Sequence, residues 1–196
     1  MSSILKVDQL QDSGGNAIIT SDGAGNLTAG TIPAKTIGTG AVLQIVNGTS
    51  STEFSVASPT NHQLYFPSSN KLTVSITPSS TSSKILVHYV AGVRATRISS
   101  TGDTGAGMAL RETIGGTSTD IRPYAGGNKT YAEGIYIASI GAGQNIRARL
   151  SEQMLRSPST TSEITYEVGV SAYQNNTVRL MDDSSTGRIQ AIEIAG

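Results

Sequence analysis

Hydrophobic and polar residues alternate in short runs along most of the chain after residue 40. Leu72, Val74 and Ile76 alternate with Thr and Ser, and residues 164–172 continue the same pattern over a longer run. A period of two places successive side chains on opposite faces of a β-strand. Clusters of Gly, Pro, Asn and Ser separate these runs, which indicates a sandwich or barrel, and no stretch shows convincing helical periodicity. We therefore predict an all-β fold, an antiparallel, jelly-roll-like β-sandwich, over residues 41–196.

The predicted strands differ in how deeply they are buried. Residues 84–93 are almost continuously apolar, which indicates a central strand, whereas residues 146–150 have one polar face. In the last strand the apolar phase changes between Ala191 and Ile192, so we predict a bulge or burial on both faces there. The predicted strands cover residues 42–47, 53–57, 72–76, 84–93, 108–112, 131–139, 146–150, 164–173, 177–181 and 188–195.

Residues 1–30 form a separate segment with an internal repeat. The sequences DSGGN and DGAGN, which begin at Asp12 and Asp22, are both D-x-x-G-N turns followed by a short apolar piece. Two or three short strands cannot bury their apolar side chains alone, because such small sheets are marginal in water. We predict an N-terminal β-arm that docks on a neighbouring subunit or an underlying surface, with a partly disordered tail as the alternative. The predicted anchor residues are Ile4, Leu5, Val7 and Leu10.

A linker is predicted between the arm and the sandwich. Pro33, Gly38 and Gly40 lie among short Thr and Ile pieces, a composition typical of an extended connection. We therefore predict an arm over residues 1–30, a linker over 31–40 and a sandwich domain over 41–196.

Charge and composition exclude several classes of function. The 14 basic and 14 acidic residues give a formal net charge of +0, so no basic surface is expected to bind a nucleic acid. The absence of cysteine excludes disulfides, thiolate catalysis and Cys-ligated metals. With His62 and His88 as the only histidines, a His-based triad or multi-His metal site is not expected, and we predict neither a metal nor a cofactor. No signal peptide or 18-residue apolar run is present, so we expect synthesis in the cytoplasm and no membrane partner.

Three sequences resemble catalytic or ligand-binding motifs without their context. Asp103 begins DTGA, the turn of retroviral-type aspartic proteases, but Ser, Thr and Gly precede it instead of an apolar strand, and we predict a flexible loop. Residues 141–146 begin like a dinucleotide fingerprint but lack its final glycine and helix, which favours a hairpin turn. The pair Asp182 and Asp183 lacks the spacing of a calcium loop and is interpreted as turn residues. We predict that the protein is not an enzyme.

Two predicted loops, residues 94–107 and 122–131, combine arginine and tyrosine with glycine and asparagine. Planar guanidinium groups, rigid aromatics and adaptable polar residues are typical of interaction loops, although plain solvated loops fit the pattern equally well. The candidate partner-contact residues are Arg94, Arg97, Arg122, Tyr124 and Tyr131.

The sequence ILKVDQLQDSGGNAIITSDGAGNLTAG, residues 4–30, resembles the N-terminal segment of virion proteins from tailed phages that infect cyanobacteria and other aquatic bacteria. The pieces VLQIVN, LTVSITPSSTSSKILVHYV and RIQAIEIAG are similar to the β-sandwich domains that follow that segment. The resemblance implies a homotrimer displayed on the virion, with the major capsid protein of the same phage as a partner and with no catalytic residues. It covers both capsid decoration (cement) proteins and the distal parts of tail fibres and tailspikes.

The short linker favours decoration of the outer capsid surface. At about 3.3 Å per extended residue it spans a few tens of ångströms, enough to cross a capsomer junction and too little to reach a cell. A tail fibre or tailspike tip that binds a host surface receptor or glycan is the alternative. A carbohydrate-binding module from another setting is less favoured, because the chain has seven Tyr, two Phe and no Trp for stacking on sugars.

Overall fold

The computed structural model describes residues 9–11, 13–14, 17–21, 24, 27–29, 38–57, 63–69, 71–121, 134–173 and 175–196. The chain divides into two compact units, residues 1–39 and residues 40–196. Within the described residues, no helix has the length and hydropathy needed to span a lipid bilayer.

The first unit contains a three-stranded antiparallel sheet. Its strands are β1 (Gln9–Gln11), β2 (Ala17–Ser21) and β3 (Leu27–Ala29), and they lie side by side in that order. The two D-x-x-G-N sequences fall between β1 and β2 and between β2 and β3. The repeat in the sequence therefore corresponds to two successive strand connections.

The second unit is an antiparallel β-sandwich, as the alternating pattern predicts. A short 3-10 turn, Asp182–Ser184, interrupts its strands near the C-terminus. The strands are β4 (Val42–Ser50), β5 (Phe54–Ala57), β6 (Leu64–Tyr65), β7 (Leu72–Ile76), β8 (Lys84–Arg97), β9 (Gly102–Ile114), β10 (Thr117–Ile121), β11 (Gly134–Ile140), β12 (Asn145–Arg156), β13 (Ile164–Ala172), β14 (Asn176–Leu180) and β15 (Gly187–Ile194).

Each sheet is built around one or two long strands. In sheet 1 the order is β4-β15-β8-β14-β5, and β12 pairs with the other edge of β8 along its whole length. In sheet 2 the order is β10-β9-β13-β6, with β11 on β9 and β7 on β13. Strand β8 is therefore central, because β12 covers one edge while β15 and β14 cover the other in succession.

The core lies between the two sheets. On β8 the buried side chains alternate with less buried ones from Ile85 to Ala95, and they face the buried sides of β9 and β13. Burial of this continuous apolar layer is the main source of stability in a chain without disulfides. Its largest apolar and aromatic members include Leu72, Ile76, Ile85, Tyr89, Leu110, Ile164, Tyr166, Leu180 and Ile189.

Strand β4 of sheet 1 lies close to β7 of sheet 2 at Gly48. A Cβ added at Gly48 would overlap the backbone carbonyl of Thr73, which cannot move aside as a flexible side chain can. We expect Gly48→Ala to lower the free energy of unfolding by about 1–3 kcal/mol, the usual cost of overpacking. Gly141→Ala is the matched control, since the nearest atom to its added Cβ is the Gln144 side chain at 3.5 Å. Urea unfolding followed by circular dichroism tests the pair, and equal midpoints would contradict the prediction.

The predicted loop over residues 94–107 is wrong. Strand β8 continues to Arg97 and β9 begins at Gly102, so only residues 98–101 connect them. The sequence DTGA therefore lies in a strand and is not a flexible loop. Its residues are small enough to be buried on both faces, and Thr104 Oγ1 donates a hydrogen bond to Asn176 Oδ1 across the sandwich at 3.1 Å.

The predicted hairpin turn within residues 141–146 is also wrong. This turn, with Gly143 at φ 80°, leads from β11 in sheet 2 to β12 in sheet 1, and those two strands do not pair with each other. A true hairpin joins β9 and β10 through Gly115 and Gly116, whose φ values of 56° and 81° suit the tight turn of a two-residue connection.

The phase change in the last strand is confirmed. Ile189, Ala191 and Glu193 face the core, while Ile192 and Ile194 lie on the other side of β15. The pairing of β15 with β4 has a bulge between Glu193 and Ile194. Strand β15 therefore carries apolar side chains on both faces, which places part of its hydrophobic surface outside the core.

Candidate interaction surface

A buried ion pair joins the two sheets at the end of β12. Glu112 Oε1 and Oε2 accept hydrogen bonds from Arg156 at 2.9 and 3.2 Å, and Tyr166 Oη donates to Glu112 Oε2 at 2.9 Å. Burial, followed by the charge and hydrogen bond of Glu112, raises the pKa of Tyr166, and the bond to Glu112 raises the pKa of Arg156. These shifts keep the tyrosine neutral and the arginine charged, so the cluster stabilises the contact between the two sheets.

A second buried carboxylate binds the connection between β7 and β8. Glu193 is fully buried, and its Oε1 accepts hydrogen bonds from the Ser79 backbone N–H at 2.6 Å and from the Ser79 and Ser83 hydroxyls at 2.7 Å. Its Oε2 accepts one from Gln44 Nε2 at 2.6 Å. Burial alone raises the pKa of Glu193, but these donors outweigh burial and the net pKa is lowered. Glu193 is therefore a structural anion.

Arg97 is held inside its own connection. Its Nε donates to the carbonyls of Ser99 and Ser100 at 3.0 and 3.3 Å, and its Nη1 donates to the Asp103 carbonyl at 3.1 Å. With 7% of its surface exposed, Arg97 fixes the β8–β9 connection. Arg97, which is predicted from the sequence as a partner contact, therefore also has a structural role.

Arg94 lies in β8 on the outer face of sheet 1. Its Nε lies 3.1 Å from Asp182 Oδ1, and Arg147 Nη1 on the neighbouring β12 donates to Asp183 Oδ2 at 2.8 Å. The turn that holds the two aspartates has positive φ values at Met181 (57°) and Asp183 (51°), an uncommon conformation for residues other than glycine. The ion pairs stabilise this strained turn between β14 and β15, while Arg147 and Asp183 remain more than half exposed.

The outer face of sheet 1 carries a continuous row of aliphatic side chains. The pairing register places Ile45 beside Ile192, Ile192 beside Leu86, and Leu86 beside Leu155, so the row crosses β4, β15, β8 and β12. Ile45 is 53% exposed and Leu155 is 55% exposed, at the two edges of the sheet. Because cross-strand neighbours on one face lie about 5 Å apart, the four side chains form one patch, here called the apolar row.

A row of uncharged polar side chains lies directly beside the apolar row. Asn47, Gln190, His88 and Gln153 pair across the same four strands. Gln190 Nε2 donates to Asn47 Oδ1 at 2.8 Å, and His88 Nε2 lies 2.9 Å from Ser151 Oγ. This second set, here called the amide row, retains further donors and acceptors for a partner, because each amide group can form several hydrogen bonds.

An open cavity of about 490 Å³ lies on this face. It is lined by Asn47, Thr49, His88, Thr186, Arg188 and Gln190, among others. The lining mixes these polar side chains with Val90 and Ile189, and Arg188 is a cation within it. Together with the apolar row it makes this face chemically distinct from an ordinary solvated sheet surface.

The outer face of sheet 2 is different because its own chain covers part of it. A Cβ at Gly169 would lie 2.7 Å from the Phe66 ring, and the Arg111 guanidinium stacks on the same ring at 3.9 Å. Arg111 also pairs with Asp120 at 2.6 Å. Aromatic and charged side chains therefore cover this face, whereas the apolar row of sheet 1 has no such cover among the described residues.

Only some of the candidate residues predicted from the sequence lie within the described part of the chain. Ile4, Leu5 and Val7 lie outside the described residues, and Leu10 is described only by its backbone, which pairs with Ile19 in β1 and β2. Further along the chain, Arg122, Tyr124, Tyr131 and His62 also lie outside the described residues. The anchor and loop roles of these residues therefore stay predictions.

No group of three or more His, Cys, Asp or Glu residues suited to a metal ion occurs in the part of the chain that the structure describes. His88 is exposed on the outer face and its Nε2 contacts the Ser151 hydroxyl, but among the described residues no carboxylate is hydrogen-bonded to its other ring nitrogen to orient it as a base.

Comparisons with known proteins find distant structural similarity. No protein-family model matches the chain, and no curated protein matches it. A structure of infectious bursal disease virus, Gx strain, is 14% identical over 78% of this chain and 32% of that chain, with a TM-score of 0.32. The C-terminal family 22 carbohydrate-binding module of Clostridium thermocellum Xyn10B is 17% identical over 76% of this chain and 85% of the module, with a TM-score of 0.26.

A crystal structure of the infectious bursal disease virus VP2 subviral particle is 11% identical over 78% of this chain and 38% of that chain, with a TM-score of 0.26. The chain thus spans about a third of the length of these viral chains. Similarities this low assign neither a family nor a function to the chain.

Proposed function

We propose that this protein is a non-enzymatic virion structural protein of a tailed phage, a decoration (cement) protein on the outer capsid surface. The observation that carries the proposal is the apolar row of Ile45, Ile192, Leu86 and Leu155. Contiguous apolar surface on the outside of a folded domain marks a site of association. The similarity of residues 4–30 to the N-terminal segment of phage virion proteins supports the location on a phage particle.

The buried polar groups support a structural role. Glu112 and Glu193 are both saturated by hydrogen bonds from the chain itself, so they stabilise the sandwich and are not available to a substrate. An active site instead keeps a titratable group accessible and poised to react. Two buried carboxylates that are fully hydrogen-bonded within the chain are consistent with a protein that acts through its surface and not through catalysis.

Three linked arms would bind a particle more tightly than one arm alone. We propose a homotrimer in which Ile4, Leu5, Val7 and Leu10 dock on the major capsid protein or a neighbouring chain. Each apolar side chain contributes roughly 1.5–3 kcal/mol when fully buried, and linked arms bind with avidity because the later ones engage at high effective concentration. Light scattering is expected to report a trimer or an assembly of trimers, and a 20.3 kDa species at micromolar concentration would contradict the homotrimer.

Antibody labelling of intact virions tests the location. We expect label over the head, because a decoration protein is distributed over the capsid. Label confined to the tail would instead support a tail fibre or tailspike tip. The polar side chains of Asn47, His88 and Gln190 in the open cavity favour that second candidate, since amide and imidazole groups can hydrogen-bond a receptor glycan.

Removal of the arm is expected to abolish particle binding while the sandwich stays folded. A chain that begins at Thr31 lacks all four anchor side chains but retains residues 40–196, which form a compact unit. Virions stripped of their own copy are mixed with the truncated or full-length protein and sedimented. A full-length variant with Ile4, Leu5 and Val7 changed to Ser is the control for chain length. Equal co-sedimentation of all three proteins would mean that the sandwich, and not the arm, attaches the protein.

A further inference from the structure

We propose that the outer face of sheet 1 is a two-fold contact between copies of this chain. A second copy of the chain is the expected partner because the side chains on this face are complementary to themselves under a two-fold rotation. The apolar row runs Ile45, Ile192, Leu86, Leu155, four side chains of nearly equal volume that reach both edges of the sheet. A two-fold axis parallel to the strands, between β15 and β8, places Ile45 opposite the partner's Leu155 and Ile192 opposite the partner's Leu86.

The amide row fits the same operation. The axis places Asn47 opposite the partner's Gln153 and Gln190 opposite the partner's His88. Amide groups carry both donors and acceptors, so an amide row is complementary to a second copy of itself. Self-complementarity of one patch is the requirement of a two-fold interface.

Charge favours a second copy over a charged partner. The formal net charge of +0 means that two copies approach without long-range repulsion. Around Arg147 and Asp183 both signs of charge are present and exposed, which suits the solvated rim of an interface. A glycan is a less suitable occupant because this face has no aromatic side chain, among those the structure describes, on which a sugar ring could stack.

The size of the face sets the strength of the contact. From Leu86 to Arg94 the strands run about 26 Å, and four strands are about 19 Å wide, so each copy contributes on the order of 500 Å². A pair buries about 1,000 Å², the lower limit for a specific interface. The contact is therefore expected to form at micromolar or higher concentration and to be reinforced wherever copies are already held side by side.

The location of this contact on a capsid depends on the proposed decoration function. The existence of the contact between copies does not depend on that function. Decoration trimers centred on neighbouring three-fold positions are related by two-fold axes between them. A two-fold face on each chain would join adjacent trimers into a continuous net over the capsid. The arm would then attach the protein to the particle, and the sheet face would connect neighbouring trimers.

Cysteine cross-linking tests the geometry, because the chain has no cysteine of its own. In one copy, positions 45 and 155 lie three strand spacings apart, about 14 Å, too far for an internal disulfide. We expect Ile45→Cys/Leu155→Cys to form a covalent species of twice the chain mass on mild oxidation. Ile45→Cys alone is expected to form little, because the axis holds the two copies of position 45 on opposite sides.

The control pair is Ile98→Cys/Leu155→Cys. Ile98 is similarly exposed at 43% but lies in the β8–β9 connection, outside the face. Equal cross-linking of the control pair, or none in the test pair, would overturn the two-fold contact.

A second measurement uses single charges. Leu155→Lys is expected to reduce the assembly measured by sedimentation velocity to the trimer, or to the single chain if no trimer forms, whereas Ile98→Lys leaves the assembly unchanged. Thermal unfolding of both variants checks that they are folded. A wild-type trimer whose mass Leu155→Lys does not alter would overturn this inference and leave the proposed decoration role intact. Antibody label at the tail of virions would instead overturn the decoration role and leave the two-fold contact intact.

Discussion

Glu193→Ala is expected to lower the free energy of unfolding by about 2–4 kcal/mol at pH 7. The change removes the acceptor of three hydrogen bonds from Ser79 and Ser83 and of one from Gln44. An unpaired buried donor costs about 1–3 kcal/mol, and Ser83 is 1% exposed, whereas Ser79 can recover some hydrogen bonding from water. Urea unfolding measures the loss.

Ser80→Ala is the matched control in the same connection. Its hydroxyl bonds Ser82 at 3.0 Å and 3.2 Å and is not bonded to Glu193. Only a small change is expected, because both partners are exposed. If the two variants lost equal stability, the carboxylate would not be what holds the β7–β8 connection.

The stabilisation by Glu193 depends on pH in a defined direction. Its pKa is lowered from the ordinary 4.5 in the folded state, so the unfolded chain binds a proton more readily. The contribution is therefore complete above pH 4.5 and is lost as the pH falls through the lower folded-state pKa. The stability difference between the wild type and Glu193→Gln should shrink on acidification below about pH 4.

The pKa of Glu152 is shifted in the opposite direction to that of Glu193, so its effect on stability has the opposite pH dependence. Burial raises its pKa, because Glu152 lies on the half-buried side of β12. Its ionised form destabilises the fold, so Glu152→Gln should gain stability at pH 7 and lose that advantage in acid. Opposite pH trends for the two substitutions would separate a local effect of each carboxylate from general acid unfolding.

Local sequence predicted the strands that alternate clearly. Residues 72–76 were predicted as a strand and form β7, because alternation and the following Pro-Ser-Ser are local signals. Strand β10 was missed because residues 117–120 are all polar and exposed, and its pairing with β9 depends on the Gly115–Gly116 turn. Strand β6 has two residues, too few for any period.

Part of the interaction surface also left a signal in the sequence. The phase change at Ile192 indicated apolar side chains on both faces of β15, and Ile45 lies out of phase with its neighbour Val46, which packs against the core. Leu86 gave no such signal, since it lies in a continuous apolar run that hides which side faces the core, and Leu155 lies beyond the predicted strand over residues 146–150. The row exists only through the register of four strands that are distant in sequence, and a shift of one residue would turn every side chain to the other face.

Loss of the Arg156 guanidinium is expected to destabilise the sandwich more than loss of the whole ion pair. Arg156→Met leaves the Glu112 carboxylate, whose side chain is 7% exposed, without its counter-ion between the sheets. Breaking a buried pair by one partner typically costs 3–5 kcal/mol. Because the Arg156 side chain is 33% exposed and water can reach the site, we expect about 2–3 kcal/mol.

The double variant Glu112→Met/Arg156→Met should recover most of this loss, because an apolar pair of similar volume needs no desolvated charge. Tyr166 Oη then loses the acceptor it has at 2.9 Å, so adding Tyr166→Phe should recover a further part. Urea unfolding of the single, double and triple variants gives the coupling free energy between the positions. A double variant less stable than Arg156→Met would mean that Glu112 stabilises the sandwich without its arginine, through its bond to Tyr166 alone.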